Sequence, residues 1–445
     1  MLDPIMEDKM SSSSSGWSSG KKSGGVGGQW LYDEATDGGD PLGLAGVHSS
    51  IYASLRLNTP REAGGFSDFP FRPSAGGDAR RYPVHGELLR YVRDFCDVFG
   101  LMDTVRLNTM AMRVAMGPPR RDGSLQWTVR SKRDGEEVET EEVFDAVVVA
   151  TGHYSQPRLP RIDGMDRWRR RQLHSHSYRV PNSFHGEVVV IVGCSASGAE
   201  LALELRRLAK EVHLSAKSTG EIMASAMSRI LSRYEDDNLH LRLQVEHLCE
   251  DGRVVFDDGS CVVADTIVYC PGYNYSFPFL ETDGKVTVDD NRFGPLCEHV
   301  FPPALAPSLS FVGIPAKVVL PRFVEAQARW VAQVLSGRRT LPAPEEMLRA
   351  VEEYNGGREA AGLPKWRTHD LLLDLELCDE YGERTCGFPR MEQWKKELLW
   401  SSVSNMRDDI ESFRDGYHDS DLVTDGLRLH GWIPPATQPP QEEAD

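Results

Sequence analysis

Through the middle of the chain, short apolar runs alternate with stretches that are apolar on one side only. Three valine-rich runs predict strands buried in a sheet, at 144–150, 187–192 and 211–216. Residues 197–210 instead repeat leucine at helical spacing. The same patterns predict helices at 85–100 and 323–336, and strands at 253–256, 262–270 and 309–313. A strand–helix–strand order is typical of an α/β fold built on a parallel sheet.

The turn before the 197–210 helix carries a variant of the dinucleotide-binding fingerprint. Gly193, Ser195 and Gly198 follow the spacing G-x-S-x-x-G. The first glycine permits a tight turn, the small second residue lets the backbone approach a pyrophosphate, and the last glycine allows close helix–strand packing. The helix N-terminus, where Ser197 lies, adds unpaired N–H groups that favour an anion. A structural turn with small residues for packing is the alternative.

The residues after the next strand indicate which dinucleotide binds. Sites for NAD usually carry Asp or Glu at this point, whereas this chain has Ala216, Lys217 and Ser218. A cation and a hydroxyl suit a 2′-phosphate, so the sequence favours NADPH. The alternative is a solvated surface lysine.

Composition limits the partners of the chain. Its 445 residues carry 50 basic and 67 acidic side chains, a formal net charge of −17, which argues against nucleic acid. The chain is long enough for two domains. No run of 18 apolar residues predicts a transmembrane segment, no secretory signal opens the sequence, and the eight cysteines form no close pair, so we expect a cytoplasmic protein. No metal site is predicted.

The two ends of the chain are polar. Residues 11–28 are mostly Ser and Gly, which cannot bury enough area to offset the entropy of ordering. We therefore expect residues 1–25 to be a disordered lead-in. The chain ends in a segment rich in proline and acid, and we expect 421–445 to be a tail.

Several ordered segments between residues 26 and 340 point to one family. They include GGQWLY at 27–32, SLRLN at 54–58, FSDFPF at 66–71, FDAVVVATGHYSQPRLP at 144–160 and LHSHSYR at 173–179. In sequence and order they resemble the plant-type flavin-containing monooxygenases, in particular the S-oxygenating, glucosinolate S-oxygenase-like branch. Ordered segments are more specific than any single motif among them.

The resemblance implies an α/β fold with two dinucleotide-binding, Rossmann-like domains. An FAD-binding domain would comprise residues 26–151 and 265–420, and an NADPH-binding domain residues 152–264. The implied enzyme is an NADPH- and FAD-dependent monooxygenase. It would use O₂ to oxygenate a nucleophilic sulfur or nitrogen of a small thioether or amine, by way of a flavin C4a-hydroperoxide. The cofactor carries this chemistry, while the protein orients it and excludes water.

The resemblance also implies site residues outside the fingerprint. Asn58 occupies the position of the family's active-site asparagine, whose amide would hydrogen-bond near the flavin adduct and the retained NADP⁺. Cofactor contacts are implied for five further residues, Gly28, Trp30, Arg56, Thr151 and Gly152. From the residues alone, Asn58 before Thr-Pro is a turn residue, and Thr-Gly after a strand is an ordinary turn.

Two departures from the family pattern bear on these expectations. Arg170 stands where the family's identifying pattern has glycine, and an arginine forced to a positive φ there would be strained. The family also opens with a strand, a G-x-G-x-x-G turn and a helix that hold the FAD pyrophosphate, and the Ser/Gly lead-in stands in that place here. We therefore expect an FAD domain that is incomplete at its N-terminus and binds FAD poorly. An incomplete gene model is one explanation; a truncated, FAD-deficient pseudoenzyme or an NADPH-binding protein without oxygenase activity is the other.

Overall fold

The computed structural model describes residues 24–35, 39–44, 49–121, 123–218 and 238–434. The strands within them are β1 Thr109–Met116, β2 Trp127–Arg133, β3 Thr140–Phe144, β4 Val147–Val149, β5 Gln156–Pro157, β6 Arg171–His174, β7 Val188–Val192, β8 Glu211–Ser215, β9 Leu239–Arg242, β10 Val245–Leu248, β11 Arg253–Phe256, β12 Cys261–Val263, β13 Thr266–Tyr269, β14 Tyr273–Asn274, β15 Leu280–Glu281, β16 Thr287–Asp289, β17 Arg292–Gly294 and β18 Leu309–Phe311. The α-helices are α1 His85–Val98, α2 Ala196–Leu205, α3 Arg322–Leu335, α4 Pro344–Ala360, α5 Leu375–Cys386, α6 Gln393–Asp408 and α7 Asp421–Leu429.

The described part of residues 158–272, which we name the inserted region, is built on a parallel sheet. Its five strands lie in the order β6-β13-β7-β8-β9. Val189, Val190 and Ile191 of the central strand are fully buried, because both faces of the sheet are covered. Helix α2 packs on one face through Leu201 and Leu205. The antiparallel strands β10, β11 and β12 lie on the opposite face, so this region has two hydrophobic cores.

The other described residues form what we name the outer region. Its parallel pair of β4 and β18 aligns Val147 with Leu309. The antiparallel strands β1, β2 and β3, joined by β15, pack over this pair through a core that includes Trp127 and Phe311. On the other side lie α3 and α5, which enclose Phe323 and Trp330. The parallel pair is thus held between a sheet layer and a helix layer.

Two short strands connect the regions. The chain enters the inserted region after β5 and returns through β14, and these two strands pair antiparallel, with Tyr273 opposite Pro157 and Asn274 opposite Gln156. The domain division expected from the sequence put the return at residue 265. Strand β13 lies between β6 and β7 in the parallel sheet, so we propose that the boundary lies after Tyr269.

The structure confirms most of the predicted elements of the inserted region and corrects others. The run 262–270 is two strands, because Asp265 interrupts it and accepts a hydrogen bond from the Val188 N–H (2.9 Å). The 197–210 helix ends earlier, at Leu205. The run 144–150, expected as a single strand, is divided between the end of β3 and β4.

At the ends of the chain the structure also changes the picture. Residues 1–23 of the expected lead-in lie outside the described residues, and Val26 directly after it is buried. The tail expected from residue 421 begins with helix α7, whose Val423 and Leu427 pack on Trp394. Only residues 435–445 of that tail lie outside the described part. The prediction of a tail from 421 is therefore wrong for residues 421–429, because they form an amphipathic helix whose apolar face packs against the protein.

Candidate functional site

The fingerprint turn between β7 and α2 requires its two glycines. Gly193 has φ 110°, and a Cβ there would lie 2.7 Å from the Cys270 carbonyl oxygen. A Cβ at Gly198 would lie 1.8 Å from the Gly193 carbonyl oxygen. Neither position admits a side chain without a backbone shift, because the opposing atoms belong to the main chain. The close helix–strand approach that the sequence predicted is present.

Three of the four residues between these glycines are exposed, and Cys194 is buried. Ser195 is the N-cap of α2, but its side chain makes no capping hydrogen bond, and Ser197 in the first turn is also exposed. A helix N-terminus with open N–H groups and small side chains is a ready anion site. Lys217 follows β8, the neighbour of β7 in the sheet, so it lies at the same carboxyl edge and is exposed. This edge fits the diphosphate and 2′-phosphate of NADPH.

A loop of the outer region lies against α2. The Tyr52 hydroxyl donates to Glu200 Oε2 (2.6 Å), and the Ser54 hydroxyl donates to Glu204 Oε1 (2.7 Å). Both glutamates are on the helix that begins at the fingerprint. The loop that carries Asn58 is therefore fastened to the proposed nucleotide helix.

Arg414 joins Asn58 to the same helix. Its guanidinium donates to Asn58 Oδ1 and to Glu200 Oε1, and its Nε donates to the Leu57 carbonyl oxygen (3.1 Å). The Arg414 and Glu200 side chains are largely buried, whereas Asn58 is exposed. Sequence reasoning missed Arg414 and Glu200, because 214 positions separate them along the chain and neither belongs to a recognisable motif. We name Asn58, Arg414 and Glu200 the latch.

Arg56 is occupied by protein partners. Its Nε donates to the Tyr82 carbonyl oxygen (2.9 Å), and its two terminal nitrogens donate to the Asp415 carboxylate (2.6 and 2.8 Å). A bidentate pair of this kind compensates its charge. A cofactor contact for Arg56 stays a prediction, and it requires that this pair opens or that the arginine acts through its backbone.

Gly28 and Trp30 lie in a single 3-10 turn, Gly28–Trp30, that packs on helix α1. Gly27 before it has φ 134°, and a Cβ there would lie 2.3 Å from Leu89 Cδ1. The Ser49 hydroxyl donates to the Gln29 carbonyl oxygen (2.7 Å), which ties the turn to the loop of Asn58. The structure thus places Gly28 and Trp30 next to the loop that carries Asn58.

Thr151 and Gly152 follow the carboxyl end of β4. The Thr151 hydroxyl is buried without a hydrogen-bond partner among the described residues, and Gly152 has φ 77°. The next residue, His153, donates from Nδ1 to the Gly313 carbonyl oxygen (3.0 Å), while its Nε2 is also buried without a partner. Burial lowers the pKa of His153. Buried polar atoms normally find a partner, so this edge fits a ligand that brings donors and acceptors, as FAD would.

The segment around Arg170 is not strained. Arg170 is not among the residues with positive φ. Its guanidinium donates to the carbonyl oxygens of Ala264 (2.7 Å) and Asp251 (3.1 Å), which fastens the edge of the inserted region. The strain considered from the family pattern is therefore absent here, because the arginine adopts an ordinary backbone conformation and finds backbone acceptors.

His174 in the same segment has structural contacts. Its Nε2 donates to the Gly272 carbonyl oxygen (3.2 Å), and its Nδ1 accepts from the His176 N–H (3.2 Å). Burial lowers the pKa of His174 to about 4, so the ring is neutral near pH 7. Gly272 lies directly before the return strand β14, so His174 fixes the connection between the regions.

One group of the described residues has the composition of a metal site. Glu211, His213 and His240 lie at the amino ends of β8 and β9, at the opposite edge of the sheet from the fingerprint. Arg242 Nε donates to His213 Nδ1 (3.2 Å), so the His213 proton is on Nε2, which donates to Glu211 (3.3 Å). Both nitrogens of His213 are thus occupied by protein partners, and we assign no metal to this group.

Comparison with known proteins decides the family. The flavin-binding monooxygenase-like family model matches residues 18–237 and 237–368 of the chain. The chain belongs to this family. Members use FAD and NADPH, so this protein is an NADPH- and FAD-dependent monooxygenase with a small-molecule substrate, as the sequence predicted.

Two relatives and one solved structure show how close the match is. Flavin-containing monooxygenase FMO GS-OX-like 8 of Arabidopsis thaliana is 51% identical over 409 residues, covering 91% of this chain and 87% of the relative. FMO GS-OX-like 9 of the same plant is 50% identical over 411 residues, covering 91% and 88%. The structure of S-allyl-L-cysteine S-oxygenase from Allium sativum has a TM-score of 0.84 and 43% identity, covering 92% of this chain and 91% of that one. This monooxygenase therefore has the fold of the flavin monooxygenases, with two Rossmann-like domains.

Two expectations from the sequence concern the whole chain. No helix among the described residues is both long and apolar enough to cross a membrane. The expectation that the FAD domain is incomplete at its N-terminus stays a prediction.

Proposed function

We propose that this monooxygenase oxygenates the sulfur of a small thioether. The support is twofold: the relatives named above include an S-allyl-L-cysteine S-oxygenase and GS-OX-like enzymes, and the latch joins Asn58 to the nucleotide helix. The reaction consumes one O₂, a hydride from NADPH, which carries two electrons and one proton, and a second proton from solution. One oxygen atom forms the sulfoxide S–O bond, and the other leaves as water. Sulfur is preferred to nitrogen because the similar proteins are S-oxygenases by name.

The nucleotide edge holds NADPH in this proposal. Gly193 and Gly198 bring the backbone close to the diphosphate, and Ser195 and Ser197 offer hydroxyl donors beside the open N–H groups of α2. Lys217 binds the 2′-phosphate, because a lysine ammonium is a suitable point charge for phosphate. The overall charge of −17 repels such a ligand, so this local device has to supply the attraction.

The outer region holds FAD, which when bound supplies the redox and oxygen chemistry. Thr151 and Gly152 contact it at the carboxyl end of β4, where the buried Thr151 hydroxyl gains a partner. Gly28 and Trp30 contact it from the turn on α1.

Asn58 is the residue that we propose contacts both cofactors. Its Oδ1 accepts from Arg414, which orients the amide and leaves Nδ2 as the donor toward the reaction centre. The Arg414 contact with Glu200 makes that orientation depend on the nucleotide helix. A bound nucleotide and a correctly placed Asn58 would then occur together.

The domain division and the location are proposed on the same basis. The flavin domain comprises the described parts of 26–151 and of 270–420, and the NADPH domain comprises the described part of 152–269. The cytoplasmic location is proposed from the cysteines of the described residues, which are free thiols, as in proteins of a reducing compartment.

The proposed reaction is tested with the FAD-loaded enzyme, NADPH, ¹⁸O₂ and S-allyl-L-cysteine as the probe thioether. We expect NADPH oxidation that depends on the thioether and one ¹⁸O atom in the sulfoxide. The matched control is the amino acid in which a CH₂ group replaces the sulfur; it should not stimulate turnover. FAD-loaded enzyme that oxidises NADPH yet transfers no label to sulfur would contradict the proposal.

The role of Asn58 is tested in the same assay. Asn58→Ala removes the amide, and Asn355→Ala is the control, since Asn355 lies in helix α4 and belongs to neither the latch nor the fingerprint. We expect Asn58→Ala to divert most of the oxygen to hydrogen peroxide at an unchanged flavin content. An unaltered ratio of sulfoxide to peroxide would remove Asn58 from the proposed mechanism.

A further inference from the structure

A cavity lies in the outer region, away from the fingerprint and the latch. It has a volume of about 420 Å³ and is enclosed by β16, β17, the chain around Glu298, helix α4 and helix α5. None of its lining residues belongs to the latch, the fingerprint or the Thr151–Gly152 turn. Ligand pockets for small molecules have volumes of about 300–1,000 Å³, so this cavity is large enough to hold one.

A pair of histidines at the cavity wall is arranged to leave one acceptor. His369 Nε2 lies 2.8 Å from the Phe293 carbonyl oxygen, which can only accept, so the His369 proton is on Nε2. His369 Nδ1 lies 2.9 Å from His299 Nδ1, and since His369 Nδ1 carries no proton, His299 Nδ1 must donate. The proton of His299 is therefore on Nδ1. Its Nε2 keeps a lone pair.

Burial keeps both rings in the neutral state that this arrangement needs. The pKa of His299 is lowered to about 4, and that of His369 is lowered well below its usual value, in both cases mainly by burial. His299 is part of the cavity lining. The Nε2 lone pair is thus a fixed hydrogen-bond acceptor at the cavity near pH 7.

The charged residues of the lining are neutralised by partners. Their ion pairs are Arg384–Glu298 at 2.7 Å, Arg292–Glu359 at 2.7 Å and Lys365–Asp289 at 2.6 Å. The Tyr354 hydroxyl donates to the Thr368 carbonyl oxygen (3.0 Å). The remaining lining is largely apolar, with side chains such as Phe293, Leu296 and Val351. The chemistry therefore suits an uncharged ligand.

We propose that this cavity binds a small, uncharged organic molecule with an apolar body and one hydroxyl or amino group, which donates a hydrogen bond to His299 Nε2. Glu298 and His299 have φ 52° and 59°, a backbone conformation that is uncommon for residues other than glycine. This conformation turns His299 toward His369. The site is separate from the NADPH edge and does not depend on the oxygenase reaction.

The cavity wall is hydrogen-bonded to a segment that also lies next to the proposed flavin edge. The Ala316 N–H donates to the His369 carbonyl oxygen (2.8 Å), and the Leu371 N–H donates to the Ala316 carbonyl oxygen (3.0 Å). Ala316 lies just after Gly313, the acceptor for His153. A ligand in the cavity would therefore contact His369 and Leu371, which are hydrogen-bonded to the segment next to the Thr151 turn.

The test uses two naphthalene probes that differ in one donor. 2-Naphthol carries the hydroxyl, and 2-methoxynaphthalene has the same body without a donor. Calorimetric titrations of the full chain, loaded with FAD and saturated with NADP⁺, should show saturable 2-naphthol binding that is about ten-fold tighter than that of the methoxy probe. His299→Phe should remove this difference without abolishing binding, since the apolar body still fits.

Two substitutions on one helix locate the binding. Ala350→Trp places an indole at the cavity wall from an exposed position, so folding is not at risk, and it should weaken both probes at least ten-fold. Leu348→Trp on the same helix, where the leucine is 41% exposed and outside the lining, should leave both affinities unchanged. Equal affinity of the two probes for the unaltered protein, no saturable binding, or full binding in Ala350→Trp would each overturn the proposal.

Discussion

The two edges that we propose face the cofactors are built on opposite principles. At the NADPH edge the decisive feature is missing side chains: Gly193 and Gly198 leave space that a Cβ would fill. At the flavin edge the decisive feature is polar atoms without partners, the Thr151 hydroxyl and His153 Nε2. Shape therefore prepares the first edge for its ligand, whereas unmet hydrogen bonding prepares the second.

The difference has an energetic consequence. A buried polar group without a partner costs about 1–3 kcal/mol, and the Ser310 hydroxyl on β18 is a third such group beside the Thr151 hydroxyl and His153 Nε2. The NADPH edge carries no comparable cost at its fingerprint, because Ser195, Ala196 and Ser197 at the start of α2 are exposed to solvent, and the Gly193 N–H donates to the Ser215 carbonyl oxygen (2.9 Å). We therefore expect the flavin ligand to stabilise the fold more than the nucleotide does.

The largest expected effect breaks the NADPH edge alone. Gly198→Ala places a methyl group against the Gly193 carbonyl oxygen, so the turn has to shift. Since overpacking costs about 1–3 kcal/mol, we expect a roughly 10- to 100-fold loss in the rate constant for flavin reduction per unit NADPH, at an unchanged flavin content. The measurement is stopped-flow absorbance of the bound flavin.

The control for this change is another glycine without neighbours. Gly357 in α4 has no atom within 4 Å of a built Cβ, so Gly357→Ala should leave flavin reduction unchanged and raise stability slightly through helix propensity. If Gly198→Ala reduced its flavin as fast as the unaltered enzyme, the fingerprint turn would not be the nucleotide site.

An intermediate effect concerns the latch, which links the two edges. Glu200→Gln removes the charge that holds Arg414, whereas Asn58 and both cofactor edges remain. A hydrogen bond to a charged group contributes about 1.5–3 kcal/mol, so we expect roughly ten-fold lower kcat/KM for NADPH and a larger share of hydrogen peroxide. The ratio of peroxide to sulfoxide at saturating substrate measures this.

The matched control breaks a neighbouring ion pair of the same helix. Arg206 after α2 pairs with Glu411 at 2.6 Å but does not contact Asn58. Glu411→Gln should lower thermal stability without raising the peroxide share. Equal peroxide shares in the two variants would mean that the latch acts only as a structural fastening.

The smallest expected effect sharpens the flavin edge. Thr151→Val replaces the unpartnered hydroxyl with a methyl group of similar shape. We expect the flavin-free protein to become about 1 kcal/mol more stable, while FAD affinity falls up to about ten-fold. Melting temperatures with and without FAD, together with flavin titration, check both signs.

A second threonine provides the contrast. Thr385 in α5 is buried, and its hydroxyl donates to the Tyr381 carbonyl oxygen (2.6 Å). Thr385→Val should change the melting temperature by the same amount with and without FAD. Stabilisation by Thr151→Val in both states, with no loss of FAD affinity, would show that the Thr151 hydroxyl has no ligand to meet.

The sequence predicted what is local in the chain. The fingerprint could be found because its strand, turn and helix lie within about 20 residues and each glycine has a steric reason at its own position. The latch could not, because Arg414 meets Glu200 only after the chain has folded. In β2 buried residues such as Trp127 and Val129 alternate with more exposed polar ones, so no continuous apolar run predicted this strand, and β1 was missed as well.

Boundaries were predicted less well than elements. A run of apolar residues at 262–270 gave no sign that Asp265 would turn away to bind the Val188 N–H. The cavity beside His299 was also invisible, since its walls come from β17, α4 and α5, which the sequence does not bring together.

The paired crossings β5 and β14 have a mechanical consequence. The chain passes between the regions twice, and because Gln156 and Pro157 are paired with Asn274 and Tyr273, the two passages form one ribbon. A ribbon twists and bends as a unit, so neither passage can slide past the other. We therefore expect the inserted region to reorient by rotation about this ribbon. The hydrogen bond from His174 Nε2 to the Gly272 carbonyl oxygen holds one end of the ribbon to the inserted region.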